Sequence, residues 1–179
     1  MVCNRCITAV ESIFRDLGLE PLHTELGEVT LKEPLEAAKL HELNAALQKI
    51  GFEIIDDRKS QLIERIKNLI VQEVHYSQEQ RTTNLSHHLA TELHHDYNYL
   101  STLFSEITGT TIEQYYIAQK TERVKELLTY DELTVSEIAW QMGYSSVAHL
   151  SNQFKKVTGF SPSHFKSIGA RKRRPLDEV

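Results

Sequence analysis

Two cysteines lie three positions apart at the start of the sequence, in the stretch MVCNRC, and the chain has no others. A disulfide between Cys3 and Cys6 would close too short a loop to stabilise a fold, so the thiols need another explanation. Thiolates are soft ligands, and two of them satisfy linear Cu(I), whereas a closed tetrahedral zinc site needs further ligands. Three interpretations stay open: binding of a soft metal ion, thiol redox sensing, and idle cysteines in a domain that serves dimerisation.

A second pattern is a repeat in the carboxyl-terminal half. The stretch YLSTLFSEITG (residues 99–109) shares Leu, Ser, Phe, Thr and Gly with HLSNQFKKVTG (residues 149–159) at a separation of 50. Upstream, LATEL (residues 89–93) matches IAWQM (residues 138–142) at a separation of 49, so the second copy has a longer turn. The repeat predicts a helix–turn–helix unit that occurs twice.

The second helix of each predicted unit has one apolar face and one face of small or polar side chains. The apolar positions are predicted to be buried: Leu100, Leu103, Phe104, Ile107, Leu150, Phe154 and Val157. The outer face holds Tyr97, Asn98, Ser101, Thr102 and Ser105 in the first copy, and Val147, Ala148, Ser151, Asn152, Lys155 and Lys156 in the second. Small and amide side chains allow a helix to enter the major groove, where Asn pairs with adenine and an apolar group contacts the thymine methyl. Asp96 and Ser146 are the predicted N-caps.

The charge of the chain is unevenly distributed. The formal net charge is −5, which by itself argues against nucleic acid. Residues 133–176, however, hold one acidic residue, Glu137, and the following basic ones: Lys155, Lys156, Lys166, Arg171, Lys172, Arg173 and Arg174. Core packing alone would also explain a helical repeat, but a cationic second copy favours contacts with DNA phosphates.

Residues 61–169 resemble the DNA-binding domain of AraC-type transcription regulators. The residues that carry the resemblance are Ile138-Ala139, Gly143-Tyr144, Phe154-Lys155-Lys156, Gly159, Pro162 and Phe165. The resemblance implies two helix–turn–helix units joined by a long helix at residues 111–129, with two reading helices in successive major grooves of double-stranded DNA. It also implies base-reading positions: Tyr97, Asn98, Ser101, Thr102, Val147, Ala148, Ser151 and Asn152. The family often has Arg where Thr102 and Asn152 stand, and the first reading helix has no basic residue, so we expect the first unit to bind weakly or to read DNA shape.

The amino-terminal part predicts a small α+β arrangement. A helix spans Cys6–Leu17, two strands (LEPLHTEL and EVTLKE) flank Gly27, a helix runs from Pro34 to Gly51, and FEII (residues 52–55) forms a last strand. Preceded by Met1-x-Cys3-x-x-Cys6, this order resembles the heavy-metal-associated domain, which is ferredoxin-like and holds a soft cation between two thiolates. That family has a strand before the motif, which this sequence lacks, so upstream residues or a second chain would complete the sheet.

The predicted fold is an α+β ferredoxin-like domain at residues 1–57, with its first strand missing, an all-α domain at residues 58–170 with two helix–turn–helix units joined by a long helix, and a basic tail at residues 171–179. No catalytic set and no membrane-spanning run stands out, and we expect a cytoplasmic protein. Trp140, Tyr115 and Tyr116 are assigned to packing. The chain is predicted to be a sequence-specific transcription regulator that binds double-stranded DNA, with Cu(I) response and homodimerisation through the amino-terminal domain as hypotheses. The alternative is a metal carrier or protein-interaction module without DNA binding.

Overall fold

The structure is a computed structural model that describes residues 1, 3–55, 57–77, 84–130 and 132–168. The predicted basic tail, residues 171–179, lies outside them. Two compact units are present, Met1–Asn68 and the chain from Leu69 onward. The division falls inside a helix that begins at Arg58, so the predicted domain boundary at residue 57 lies at the start of that helix.

The elements follow one another as a small α/β group and then a series of helices. They are α1 (Asn4–Asp16), β1 (Pro21–Glu25), β2 (Glu28–Leu31), α2 (Ala37–Gln48), α3 (Arg58–Val71) with a π-helical continuation (Gln72–Tyr76), α4 (Leu85–Leu93), α5 (Tyr97–Thr108), α6 (Ile112–Tyr130), α7 (Val135–Gln141), α8 (Val147–Thr158) and α9 (Pro162–Ile168). No helix among these residues is long and apolar enough to cross a lipid bilayer.

The first unit is built on a hairpin packed against helices. Strands β1 and β2 pair antiparallel, with Glu25 opposite Glu28 across a two-residue turn. Gly27 in this turn has φ 84°, and the side chain of Asn68 lies so close that a Cβ atom would collide with it. The Asn68 amide donates a hydrogen bond of 2.7 Å to the carbonyl of Leu26, so the turn is fastened to α3.

The apolar core of the first unit joins its two amino-terminal helices. Val10 and Phe14 on α1 pack with Leu43 and Leu47 on α2, and all four are buried. Partly buried side chains of β2 and of the flanking loops cover this cluster. The predicted helix, hairpin and second helix are therefore confirmed in kind and order.

Two details of the amino-terminal prediction are wrong. Residues 52–55 form no strand; instead the Ile54 amide donates to the Asn44 side-chain oxygen on α2, at 3.0 Å. The second helix begins at Ala37, three residues beyond Pro34. Within the part of the chain that is described, the sheet has two strands, and the ferredoxin-like arrangement is not confirmed.

The second unit is arranged around α6, which is the predicted long connecting helix. It contacts α5, α7, α8, α9 and the π-helical segment. Because neighbours surround it, even its polar residues Gln119, Thr121 and Glu122 are buried. The sequence indicated a long connecting helix, and in the structure this helix is the central rod against which these helices pack.

Candidate nucleic-acid interface

The second reading helix, α8, is a separate, well-capped rod with a polar outer face. The Ser146 hydroxyl accepts a hydrogen bond from the backbone N–H of His149 at 3.0 Å, as predicted for an N-cap. Leu150 and Phe154 are buried and anchor the helix. Ser151 is half-buried. The other predicted DNA-contacting residues of this unit are exposed: Ser146, Val147, Ala148, Asn152, Lys155 and Lys156.

The first reading helix, α5, has the same construction with different chemistry. The Asp96 carboxylate caps it by accepting from the backbone N–H of Asn98 at 2.8 Å. Asn98 and Thr102 are exposed, whereas Tyr97 and Ser101 are half-buried. The Tyr97 hydroxyl donates to the Glu113 carboxylate in the first turn of α6. Burial of the phenol, and then the Glu113 carboxylate, raise the pKa of Tyr97.

Three side chains predicted to be buried are exposed. Ile107 and Val157 are 47% and 42% exposed, although both continue the apolar spacing of their helices. They occupy matching positions in the last turn, beyond the buried Phe104 and Phe154. Trp140, which we assigned to packing, is 74% exposed on α7. Tyr115 and Tyr116 are half-buried, as expected for packing residues.

The repeat extends to hydrogen bonds in the turn that follows each reading helix. The Thr108 hydroxyl donates to the carbonyl of Phe104 at 2.7 Å, and the Thr158 hydroxyl donates to that of Phe154 at 2.8 Å. Each helix then ends at a glycine with positive φ, 71° at Gly109 and 79° at Gly159. The two units therefore share a mechanism for stopping the reading helix.

The repeat also includes a third helix, which the sequence comparison missed. Phe104 packs on Tyr115 of α6 with ring centroids 5.8 Å apart, and Phe154 packs on Phe165 of α9 at 5.5 Å. Tyr115 and Phe165 are separated by the same 50 positions as the rest of the repeat. The correspondence was not evident from identical residues, because Tyr115 in the first copy is replaced by Phe165 in the second and the neighbouring residues differ. Aligning the two copies by aromatic residues, rather than by identical ones, would have revealed it.

A buried cation connects α6 to the second helix–turn–helix unit. The Lys120 amine lies 4.0 Å from the ring centroid of Tyr144 and 5.5 Å from that of Tyr116, an arrangement that favours cation–π attraction. Tyr144 follows the first helix of the second unit, and its hydroxyl donates to the Gln153 side chain on α8 at 2.7 Å. Desolvation lowers the pKa of Lys120 to about 8 and raises that of Tyr144 to about 12. These contacts fix the reading helix α8 against the central rod.

A second set of polar contacts joins α6 to the π-helical segment. The His75 ring nitrogen lies 3.0 Å from the Gln119 side-chain oxygen, and the Tyr116 hydroxyl donates to Glu73 at 3.0 Å. Within α6, Lys125 and Glu122 form a buried ion pair of 2.7 Å. Removing one partner of such a pair leaves an uncompensated buried charge and destabilises the fold, so we assign this pair a structural role.

The two cysteines lie together at the beginning of α1. The Sγ atoms of Cys3 and Cys6 are 3.4 Å apart and half-buried, a separation longer than a disulfide bond. Among the described residues, no group of three or more His, Cys, Asp and Glu side chains is placed to hold a metal. The thiol pair thus fits an ion that accepts two protein ligands, and not a four-ligand structural site.

Comparisons with known proteins address the helical unit. Residues 89–168 match a family model described as a helix-turn-helix domain. The carboxyl-terminal domain of AraT, a response regulator from Geobacillus stearothermophilus, superposes with a TM-score of 0.53 and 28% identity, covering 63% of this chain and 88% of that one. A transcriptional regulator from Chromobacterium violaceum, described as having an AraC-type DNA-binding domain, superposes with a TM-score of 0.54 over 65% of this chain and 99% of that one. Its identity of 20% makes this a likeness of fold.

Residues 89–168 therefore hold a helix-turn-helix domain, and the fold of the carboxyl-terminal unit is like that of AraC-type DNA-binding domains. The curated relative YtdP of Bacillus subtilis (strain 168), an uncharacterized HTH-type transcriptional regulator, is 22% identical over 166 residues. That alignment covers 90% of this chain but 21% of YtdP, so the chain spans about a fifth of the length of that relative. The helix-turn-helix domain is thus supported by sequence and its AraC-like architecture by fold, whereas none of these proteins supports the heavy-metal-associated resemblance of the amino-terminal unit.

Proposed function

We propose that the chain is a DNA-binding transcription regulator that places α5 and α8 in successive major grooves. The observation that carries the proposal is the duplicated, capped helix–turn–helix unit with an exposed polar face on each second helix. Recognition helices of this class contact base edges through their amino-terminal residues. Asn98 and Thr102 on α5, and Val147, Ala148 and Asn152 on α8, are exposed where such contacts would form.

The two lysines at the end of α8 supply the phosphate contacts in this proposal. Lys155 and Lys156 are exposed and lie in the last turn. Phosphate contacts position a protein on the duplex, and each one releases a counterion, which makes affinity fall with salt. The N-cap Ser146 is uncharged and leaves the partial positive charge at the amino-terminal end of α8 uncompensated, so that helix end also favours a nearby phosphate.

Salt titration of DNA binding tests the proposal. The double variant Lys155→Gln/Lys156→Gln should weaken binding to all duplexes and reduce the slope of log affinity against log salt by about two. The control Lys32→Gln/Lys49→Gln removes the same charge from exposed positions of the amino-terminal compact unit, Met1–Asn68, and should leave the slope unchanged. Wild-type binding that is insensitive to salt would rule out the regulator and favour the alternative, a protein-interaction module.

A soft-metal site at Cys3 and Cys6 is a second candidate, favoured by the 3.4 Å approach of the two Sγ atoms. The two thiolates would hold Cu(I), which supplies a charge and a rigid link at the start of α1. Cys3→Ser/Cys6→Ser should abolish Cu(I) binding measured by competition with a chromophoric chelator. Unchanged stoichiometry would remove the metal hypothesis, and gel shifts with and without Cu(I) would test any coupling to DNA.

Homodimerisation through the amino-terminal unit also remains a proposal. Leu22 on β1 is 66% exposed and Ile50 after α2 is 44% exposed, and a dimer interface in this unit would be expected to bury them. Sedimentation equilibrium of the chain gives the answer directly: a monomer at every concentration would exclude it.

A further inference from the structure

The contact between Tyr97 and Glu113 joins the beginning of the first reading helix to the beginning of α6. The Tyr97 hydroxyl donates to the Glu113 carboxylate across sixteen positions of sequence. Tyr97 is the first residue of α5, and Glu113 is exposed in the first turn of α6. The carboxylate therefore lies within one side chain of the end of α5 that would face the bases.

The second copy of the repeat has no such carboxylate. At a separation of 50, Glu113 corresponds to Ser163 in α9, and Tyr97 corresponds to Val147. The correspondence is spatial as well, because the ring pairs Phe104–Tyr115 and Phe154–Phe165 place α6 and α9 alike on their reading helices. Glu113 is thus a charge that one unit has and the other lacks at an equivalent place.

The difference continues along the reading helices. Ser105 and Glu106 in the last turns of α5 stand where α8 has Lys155 and Lys156. Among the described residues, no ion pair neutralises Glu106 or Glu113. A duplex carries one negative charge about every 1.7 Å of its axis, so uncompensated carboxylates at this surface lower affinity for DNA of any sequence.

We infer that Glu113 is a specificity-determining residue that suppresses sequence-independent DNA binding by the first helix–turn–helix unit. The inference rests on the proposed function. Specificity is a difference between two affinities, and lowering the non-specific one raises it as effectively as improving the specific one. Glu113 repels phosphates whatever the sequence, and it also holds the Tyr97 hydroxyl, so α5 engages DNA only where its other contacts compensate.

The test uses the whole chain and two labelled duplexes of equal length, measured by fluorescence anisotropy. One is a site selected from a random pool by the wild-type protein, and the other is a scrambled version of it. Glu113→Gln removes the charge but keeps an oxygen that accepts from Tyr97. Glu20→Gln is the matched control, because it removes an equal charge from an exposed position of the amino-terminal compact unit, Met1–Asn68.

Glu113→Gln should tighten binding to the scrambled duplex about two- to fivefold, the size of one exposed charge interaction, and should tighten the selected site less. Glu20→Gln should bind like the wild type. Tyr97→Phe keeps the carboxylate and loses the hydrogen bond, so its affinity for the scrambled duplex should stay at or below the wild-type value.

Three results would decide against the inference. Equal affinities of Glu113→Gln and Glu20→Gln for the scrambled duplex would overturn it, as would equal tightening on both duplexes. Tightening by Tyr97→Phe as large as that by Glu113→Gln would show that the hydrogen bond, and not the charge, sets the affinity. A wild type that selects no site and binds neither duplex would instead remove the proposed function itself.

Discussion

Lys120 holds a charge in the interior of the helical unit, and this has a defined consequence for stability. Its pKa falls from 10.5 to about 8 on folding because burial disfavours the ammonium form. Between these values the unfolded chain binds more protons than the folded one, so the free energy of unfolding rises with pH. Tyr144 has the opposite effect above pH 10, because its pKa is raised from 10.0 to about 12 and the unfolded chain loses that proton first.

We expect the free energy of unfolding to increase between about pH 8 and pH 10 in the wild type, and not in Lys120→Met. Methionine keeps an unbranched side chain but removes the charge that folding must desolvate. Because the lowered pKa means that desolvation costs more than the contacts with Tyr144 and Tyr116 return, this variant should be at least as stable at neutral pH. Urea unfolding followed by circular dichroism across this range measures the effect. Lys155→Met, at an exposed position, should keep the rise; a wild-type curve that is flat would contradict the explanation.

Asn152 is the residue on α8 best suited to reading a base, because it is exposed and its amide offers a donor and an acceptor together. Asn152→Ala should cost about 1–3 kcal/mol at one base-pair position and relax the sequence preference there. Affinity for a set of single-base variants of the selected site measures this. An equal loss on selected and scrambled DNA would show that Asn152 contacts the backbone instead.

At the scale of elements, the two helix–turn–helix units differ in the residue that takes positive φ after their first helix. His94 ends α4 with φ 55°, and Gly143 follows α7 with φ 65° at the matching position of the repeat. A side chain in the left-handed region is disfavoured by contact between Cβ and the backbone, a cost that glycine avoids. The first unit therefore carries backbone strain that the second does not.

His94→Gly should stabilise the chain by about 0.5–1 kcal/mol, since the relief of strain exceeds the extra entropy that glycine loses on folding. His94 is exposed, so the exchange removes little packing. The midpoint of urea unfolding is the measurement. The mirror variant Gly143→His should shift that midpoint downward, and a His94→Gly variant less stable than the wild type would mean that the imidazole makes contacts worth more than the strain.

At the scale of the whole molecule, the two helix–turn–helix units share one architecture but differ in charge. The caps, turn hydrogen bonds and aromatic pairs match across the repeat, whereas Ser105 and Glu106 replace Lys155 and Lys156. The fold of each helix–turn–helix unit and its affinity for phosphate can therefore vary independently. The buried apolar face and the turn set the fold, whereas Glu106, Lys155 and Lys156 in the last turns of the reading helices are exposed. Under the proposed function, the phosphate contacts would come mainly from the second helix–turn–helix unit, and the first would contribute little affinity that is independent of sequence.

Making the first unit resemble the second should convert it into a second attachment point. Ser105→Lys/Glu106→Lys should tighten binding to scrambled DNA and steepen the salt dependence, adding up to about two to the slope of log affinity against log salt. Ser12→Lys/Asp16→Lys makes the same change in net charge on an exposed face of α1 and should have little effect. If both variants tighten binding equally, overall charge and not position is responsible.

Local sequence determined the elements, the repeat and the caps. Apolar spacing and the glycines predicted α1, the hairpin and α2, the family resemblance implied α6, and Asp96 and Ser146 cap α5 and α8 as expected. These features depend on residues a few positions apart, which periodicity and capping preferences describe directly. The exposed face of each reading helix was predictable for the same reason.

Contacts between distant residues could be decided only by the tertiary structure. Nothing in the local pattern indicates that Lys120 meets Tyr144, that Tyr97 meets Glu113, or that residues 52–55 bond to α2 rather than to the hairpin. Likewise Ile107 and Val157 keep helical apolar spacing but lie beyond the packed part of their helices, and so remain exposed. Helical period tells which side chains share a face, whereas burial and pKa depend on what the rest of the chain packs against that face.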